Sequence, residues 1–150
     1  MKKNTRIERI RQAEEGWTFI ETIIVLAITL TLSSTAGFVG FQYIAQARIV
    51  AARSQIETIT LGLSGYIFDC GSFPSEEQGL EALWSSPSKP PVPESWNGPY
   101  LEKLIALDPW GNPYRYFQPG PHGLPYGLVS YGEDGREGGV GRAADIVSWK

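Results

Sequence analysis

A chain of 150 residues has room for one globular body at most once a membrane-length segment is set aside. Its charge is uneven: residues 1–16 carry five basic groups against three acids, and the remainder eight against thirteen. An acidic body cannot neutralise phosphates, which argues against nucleic acid as a partner. The single cysteine, Cys70, excludes an intrachain disulfide and leaves metal or self-assembly as the means of stapling a small exported domain.

The charged leader stops at Gly16. Gly16-Trp17-Thr18-Phe19-Ile20-Glu21 then opens a run of twenty-six residues without formal charge, Thr22 to Ala47. A basic leader before an acidic body fits a cytoplasmic N-terminus and an exported C-terminal body. An ordinary secretory signal would place its small-residue cleavage site after the apolar segment, whereas Gly16 precedes it. Cleavage after Gly16 would leave the apolar segment as the new N-terminus; the plain alternative is an uncleaved signal anchor. As a helix the uncharged run spans ~39 Å, enough to cross a hydrocarbon core of ~30 Å. Thr31, Ser33, Ser34, Thr35, Gly37 and Gly40 dilute its apolar character and allow helices to approach closely. Glu21 is the exception within this stretch. An ionised carboxylate in a bilayer needs a partner, and the α-amine of a cleaved Trp17 would lie one helical turn away, on the same or a neighbouring copy. Snorkelling to the headgroups is the alternative.

Beyond Arg48 the pattern becomes a soluble amphipathic helix. Ile49, Ala52, Ile56, Ile59, Leu63 and Tyr66 recur at alternating steps of three and four and trace one apolar stripe. No proline interrupts from Trp17 to Asp69, so one continuous helix is expected, ending near Cys70-Gly71. Ser75-Glu76-Glu77-Gln78 reads as a capping box opening a short helix through Trp84. The proline-rich segment 87–93 reads as an extended surface loop. Asp108-Pro109-Trp110-Gly111-Asn112-Pro113 is dense turn chemistry. Strands are expected over 114–117, 124–131 and 145–149. A small antiparallel sheet packed on the helix stripe buries both, which makes the fold class α+β.

Chemistry has few places to sit. The glycine-rich acidic loop from Gly132 to Gly141 offers turning carbonyls and carboxylate oxygens, the donor type calcium takes, though without an EF-hand pattern. A solvated acidic turn is the equal alternative. Ser130 and Ser148 lack a histidine base, and the lone His122 sits in a Pro-His-Gly turn, so no enzyme emerges. Trp84, Trp96 and Trp110 could instead form an aromatic sugar platform on a membrane-tethered binding module.

The Gly16–Glu21 hexapeptide resembles the signal of type IV pilin-like proteins. Phe73-Pro74-Ser75-Glu76-Glu77-Gln78-Gly79-Leu80, Gly98-Pro99-Tyr100-Leu101, Asp108-Pro109-Trp110-Gly111-Asn112-Pro113-Tyr114 and Ser130-Tyr131-Gly132-Glu133-Asp134-Gly135 resemble, more narrowly, the major pseudopilins of type II secretion systems. A type IV pilus pilin is the nearest rival, but those commonly close a C-terminal disulfide loop. The resemblance implies a pilin-like fold: a cleaved leader (1–16), a transmembrane and assembly half-helix (17–47) and a periplasmic body with a loop-rich variable region (48–150). It implies cleavage after Gly16 by a prepilin peptidase, N-methylation of Trp17, and Glu21 as an assembly contact. The partners it implies are other copies in a helical pseudopilus, minor pseudopilins and the inner-membrane secretion platform. It also implies calcium held by the Asp134 and Asp145 side chains and the Tyr131 and Arg136 carbonyls. Trp17 replaces the family's usual Phe or Met. Phe38 stands where a proline is common, and Ala144 where some members carry another acid, which leaves the calcium set one carboxylate short.

Overall fold

The structure, a computed structural model, describes residues 18–104 and 107–149, without the side chains of residues 35–39. The chain divides into two compact units, one ending at Gln42 and the other beginning at Tyr43. Helix α1 runs from Phe19 to Cys70, fifty-two residues, as the proline-free sequence leads one to expect. Thr18 caps it: its hydroxyl oxygen accepts the Glu21 N–H at 3.3 Å and its carbonyl accepts the Thr22 N–H at 3.1 Å. Gly71, at φ +76°, ends it and donates its N–H to the Ile67 carbonyl at 2.9 Å.

In the first unit nine large apolar side chains between Phe19 and Leu32 stand exposed. The hydroxyls among them are turned inward on the helix. Thr22, Thr29, Thr31 and Ser34 donate to carbonyls three or four residues back, at 2.7 to 3.3 Å. Satisfied in this way, a hydroxyl can enter an apolar surrounding without an orphaned donor. Among the described residues no helix is long and apolar enough to cross a membrane; described side chains run unbroken from Phe19 only to Ser34 before residues 35–39 intervene.

The second unit has its own core. Ala52, Ile56, Ile59, Leu63 and Tyr66 are buried along α1 at the expected spacing, with Ile49 packed against them. Strands β1 (Arg115–Phe117), β2 (Gly127–Ser130) and β3 (Ile146–Val147) form an antiparallel sheet in that order. Tyr116 pairs with Leu128 and Ser130 with Ile146, so these four residues share one face. Tyr116, Leu128 and Ile146 enter the same buried cluster as the α1 stripe. The strands are shorter than the apolar runs suggest. Pro125 supplies no ladder donor, and the Leu124 N–H is already taken by the Pro121 carbonyl at 3.1 Å, so β2 starts only at Gly127. Hydrogen bonds fasten this region to α1 and to the chain just beyond it: the hydroxyl of Tyr114, the residue before β1, donates to Gln55 Oε1 at 2.6 Å, and the Tyr116 hydroxyl to the Pro74 carbonyl at 2.9 Å. Burial, reinforced by the Asp108 charge, pushes the Tyr114 phenol above its ordinary pKa, so it stays a neutral donor.

The expected capping box forms, but not at the head of an α-helix. The Ser75 N–H donates to Gln78 Oε1 at 2.9 Å and the Gln78 N–H to Ser75 Oγ at 3.3 Å. A turn follows, and Gly79, at φ +62°, diverts the chain into a single 3-10 turn, Leu80–Leu83. Gln78 has a second task that its motif does not reveal. Its buried amide nitrogen donates to the Lys89 and Pro91 carbonyls, both at 2.7 Å, and so pins the proline-rich loop. The tryptophans do not form a platform. Trp96 turns its indole N–H onto the Ala82 carbonyl at 2.9 Å and its edge onto Tyr100, and with Trp110 it packs against the core, leaving Trp84 exposed alone. Cys70, half-buried with Sγ 3.9 Å from the Tyr100 hydroxyl, is a packing residue at the end of α1.

Gly62 lies in mid-helix, where glycine costs about 1 kcal/mol relative to alanine. The reason lies across the interface: a Cβ there would stand 2.9 Å from Leu101 Cδ2 and 3.2 Å from the Tyr100 carbonyl oxygen. Gly40 meets nothing within 4 Å. Gly62→Val is therefore expected to destabilise the folded body by about 1–3 kcal/mol in thermal or denaturant unfolding, whereas Gly40→Ala should leave that unfolding unchanged.

Candidate functional site

The glycine-rich loop is built outward from a buried carboxylate twenty-four residues before its start, Asp108. Asp108 is 5% exposed, and both of its oxygens are used. Oδ1 accepts the main-chain N–H groups of Trp110 at 3.0 Å and Asn112 at 2.8 Å, and Oδ2 accepts the Ser130 hydroxyl at 2.6 Å. A buried carboxylate with three donors is fully compensated. Ser130 Oγ in turn accepts the Gly132 N–H at 3.3 Å, and the Asn112 side-chain amide donates to the Gly132 carbonyl at 3.0 Å. The turn motif at 108–113 thus buttresses the end of β2, where the loop departs.

From there Gly132–Asp134 makes a 3-10 turn closed by Gly135 in the left-handed region. Gly132 itself has φ +64°, and a Cβ on it would stand 3.1 Å from the Ala144 carbonyl oxygen and 3.2 Å from that of Arg142. Only glycine lets the two ends of the loop approach in this way. Asp134 Oδ1 accepts the Arg136 N–H at 3.1 Å; Asp145 Oδ2 accepts the Gly138 N–H at 2.9 Å. Each expected carboxylate therefore holds the same short segment, 136–138, by a main-chain donor. The other oxygen of Asp145, Oδ1, is buried and has no hydrogen-bond partner. Such an atom carries an uncompensated desolvation cost and invites a positive ligand.

The four residues expected to hold calcium are not all in one cavity. Tyr131 and Asp145 line a pocket of about 490 Å³ on the outer face of the sheet, together with Glu137, His122 and Trp149. Asp134 and Arg136 do not line it. Among the described residues no group of three or more His, Cys, Asp or Glu side chains converges to hold a metal ion. Any cation site here would draw on main-chain oxygens as much as on carboxylates, the mixed donor set that calcium accepts. Sequence reasoning gave no role in this site to Asp108, Ser130 or Asn112. The signal available was the density of the turn motif itself.

At the other end of the chain, Gly16 and Trp17 lie outside the described residues. Glu21 is exposed in the first turn of α1, its own N–H held by Thr18. A threonine followed three residues later by glutamate is also the pattern of a capping box, so this stretch doubles as a helix start.

Comparison with known proteins places this geometry. The family described as "Type II secretion system (T2SS), protein G" matches residues 40–149. A type II secretion system core protein G from Pseudomonas aeruginosa is 40% identical over 142 residues, covering 93% of this chain and 97% of its own. The counterpart from Escherichia coli is 33% identical over 143 residues, covering 94% of each. Among solved structures, the major pseudopilin of the type 2 secretion system of enterohaemorrhagic E. coli aligns with a TM-score of 0.59 and 30% identity, over 69% of this chain and 88% of that one. A long N-terminal helix on a three-stranded antiparallel sheet, with matches at this level across nearly its whole length, means that the chain belongs to the type II secretion system protein G family.

Proposed function

We propose that the chain is a structural subunit of the type II secretion pseudopilus, polymerising to help drive folded proteins across the outer membrane. The observation that carries this reading is the apolar surface of α1 that its own chain leaves bare. In the second unit Val50, Leu61 and Phe68 are 57%, 73% and 88% exposed. Spacings of eleven and seven residues set them within about 20° of one another around the helix, on the side away from the buried stripe. The first unit bares its own apolar residues from Phe19 to Leu32, and each such surface is one that lipid or further copies would cover.

In this reading the leader stays cytoplasmic, prepilin peptidase cuts after Gly16 and Trp17 is methylated. The 17–47 segment waits in the inner membrane with the body in the periplasm. Minor pseudopilins and the inner-membrane platform are the heterologous partners. Glu21 pairs with the freed α-amine of its own or a neighbouring copy, which removes the cost of a lone carboxylate in an apolar surrounding. The role is structural, with no catalysis assigned to any residue.

Calcium belongs to the same proposal. Asp134 and Asp145 would hold it through side chains, Tyr131 and Arg136 through carbonyls, and the buried unpartnered oxygen of Asp145 supports the fit. When bound, the ion supplies a charge that compensates those carboxylates and ties the two ends of the loop.

Glu21→Ala should still be cut at Gly16 but should yield few filaments; filament recovery at the unsubstituted level would refute the pairing. Calcium should raise the melting temperature of the protein, by an amount equivalent to about 2.7 kcal/mol at a concentration one hundred times the Kd, and Asp145→Asn should abolish the rise. An unshifted melt at millimolar calcium would reject the metal site.

A further inference from the structure

The motif Asp108-Pro109-Trp110-Gly111-Asn112-Pro113 has no part in the calcium reading, yet the structure ties it to the turn that carries Asp134. We propose that Asn112 is a positioning residue for the metal loop: it sets the affinity of the loop for calcium without being a ligand. The inference rests on the calcium reading above and goes beyond it.

Asn112 is fixed before it touches the loop. Its N–H donates to Asp108 Oδ1 at 2.8 Å, and its carbonyl accepts the Asp108 N–H, also at 2.8 Å. The side chain of a residue held at both main-chain groups has little freedom left. It then contacts the Asp134 turn at both ends. At the start, its amide donates to the Gly132 carbonyl at 3.0 Å. At the end, it fills the space beside Gly135, where a Cβ would stand 2.9 Å from Asn112 Oδ1 and 3.1 Å from Cγ. The Gly132 N–H is meanwhile held by Ser130, which itself bonds Asp108. Both polar main-chain groups of Gly132 are therefore anchored to one buried carboxylate, each through one intervening residue, Ser130 or Asn112.

This matters because the loop is rich in glycine. Five of its glycines, at 132, 135, 138, 139 and 141, have positive φ, and an unbound glycine-rich loop spends conformational entropy on closing around an ion. An anchor that pre-sets the Asp134 turn lowers that cost. Partners outside the ligand set characteristically act this way, and their loss weakens metal binding by about 10–100-fold.

The test is calcium titration calorimetry on the full-length protein in detergent, paired with melting in a chelator. Unsubstituted protein, Asn112→Ala, Gly135→Ala and Asp145→Asn are compared. Asn112→Ala is expected to bind calcium about tenfold more weakly while its metal-free melting temperature stays close to that of the unsubstituted protein. Gly135→Ala disturbs the same contact from the loop side; its left-handed φ lowers the metal-free melting temperature by itself, so it is read by affinity alone, expected about tenfold weaker, and serves if Asn112→Ala does not fold. If the unsubstituted protein binds calcium and Asn112→Ala binds it equally well, the positioning role is overturned and the calcium site stands. A metal-free melting temperature of Asn112→Ala that falls in proportion to its affinity would make the contact purely structural, which also overturns it. If the unsubstituted protein binds no calcium and Asp145→Asn matches it, the calcium reading itself fails.

Discussion

A single helix of fifty-two residues has more apolar surface than one small sheet can cover, and the rest of the structure answers to that excess. In its second half α1 divides cleanly. One stripe, from Ala52 to Tyr66, is buried against the sheet and the loops around Leu83 and Leu101. The opposite side keeps Val50, Leu61 and Phe68 bare. In the first half the described side chains show no such division, and large apolar residues from Phe19 to Leu32 are exposed. In the function proposed above, lipid and other copies are what cover this surface.

The body meets the opposite problem, too many loops for its size, with polar anchors rather than disulfides. Gln78 uses one carbonyl and two donors to hold a capping turn and a proline-rich loop together. Asp108 uses two oxygens and three donors to hold a turn, the end of β2 and, through Asn112, the glycine-rich loop. Each is a buried polar group whose partners are complete, so each fixes geometry at little net cost. Removing one partner from such a site is expensive because the others are left unpaired.

What the sequence made legible follows from what has a period or a local signature. The α1 stripe could be read because 3.6-residue periodicity survives in the order of Ile49 to Tyr66. Its end could be read from Gly71, and the Ser75–Gln78 box from its spacing. The reach of Gln78 to Lys89 and Pro91 could not, because main-chain carbonyls carry no residue signature. The tie from Asn112 to Gly132 was hidden for the same reason, across a separation of twenty residues. The tryptophan platform failed because composition does not say which way a ring faces: Trp96 and Trp110 point inward. The strands were overdrawn because Pro125 and the Gly132 turn limit β2 more tightly than its apolar run suggests.

The central claim is that α1 becomes the N-terminus of a membrane-held subunit once the charged leader is gone, its bare surface kept for lipid and then for other copies. Intact-mass measurement of the protein extracted from the membrane fraction tests this most directly. The account predicts a chain beginning at Trp17, with residues 1–16 lost and one methyl group gained. A chain recovered at its full 150 residues, or one found only outside the membrane fraction, would contradict it.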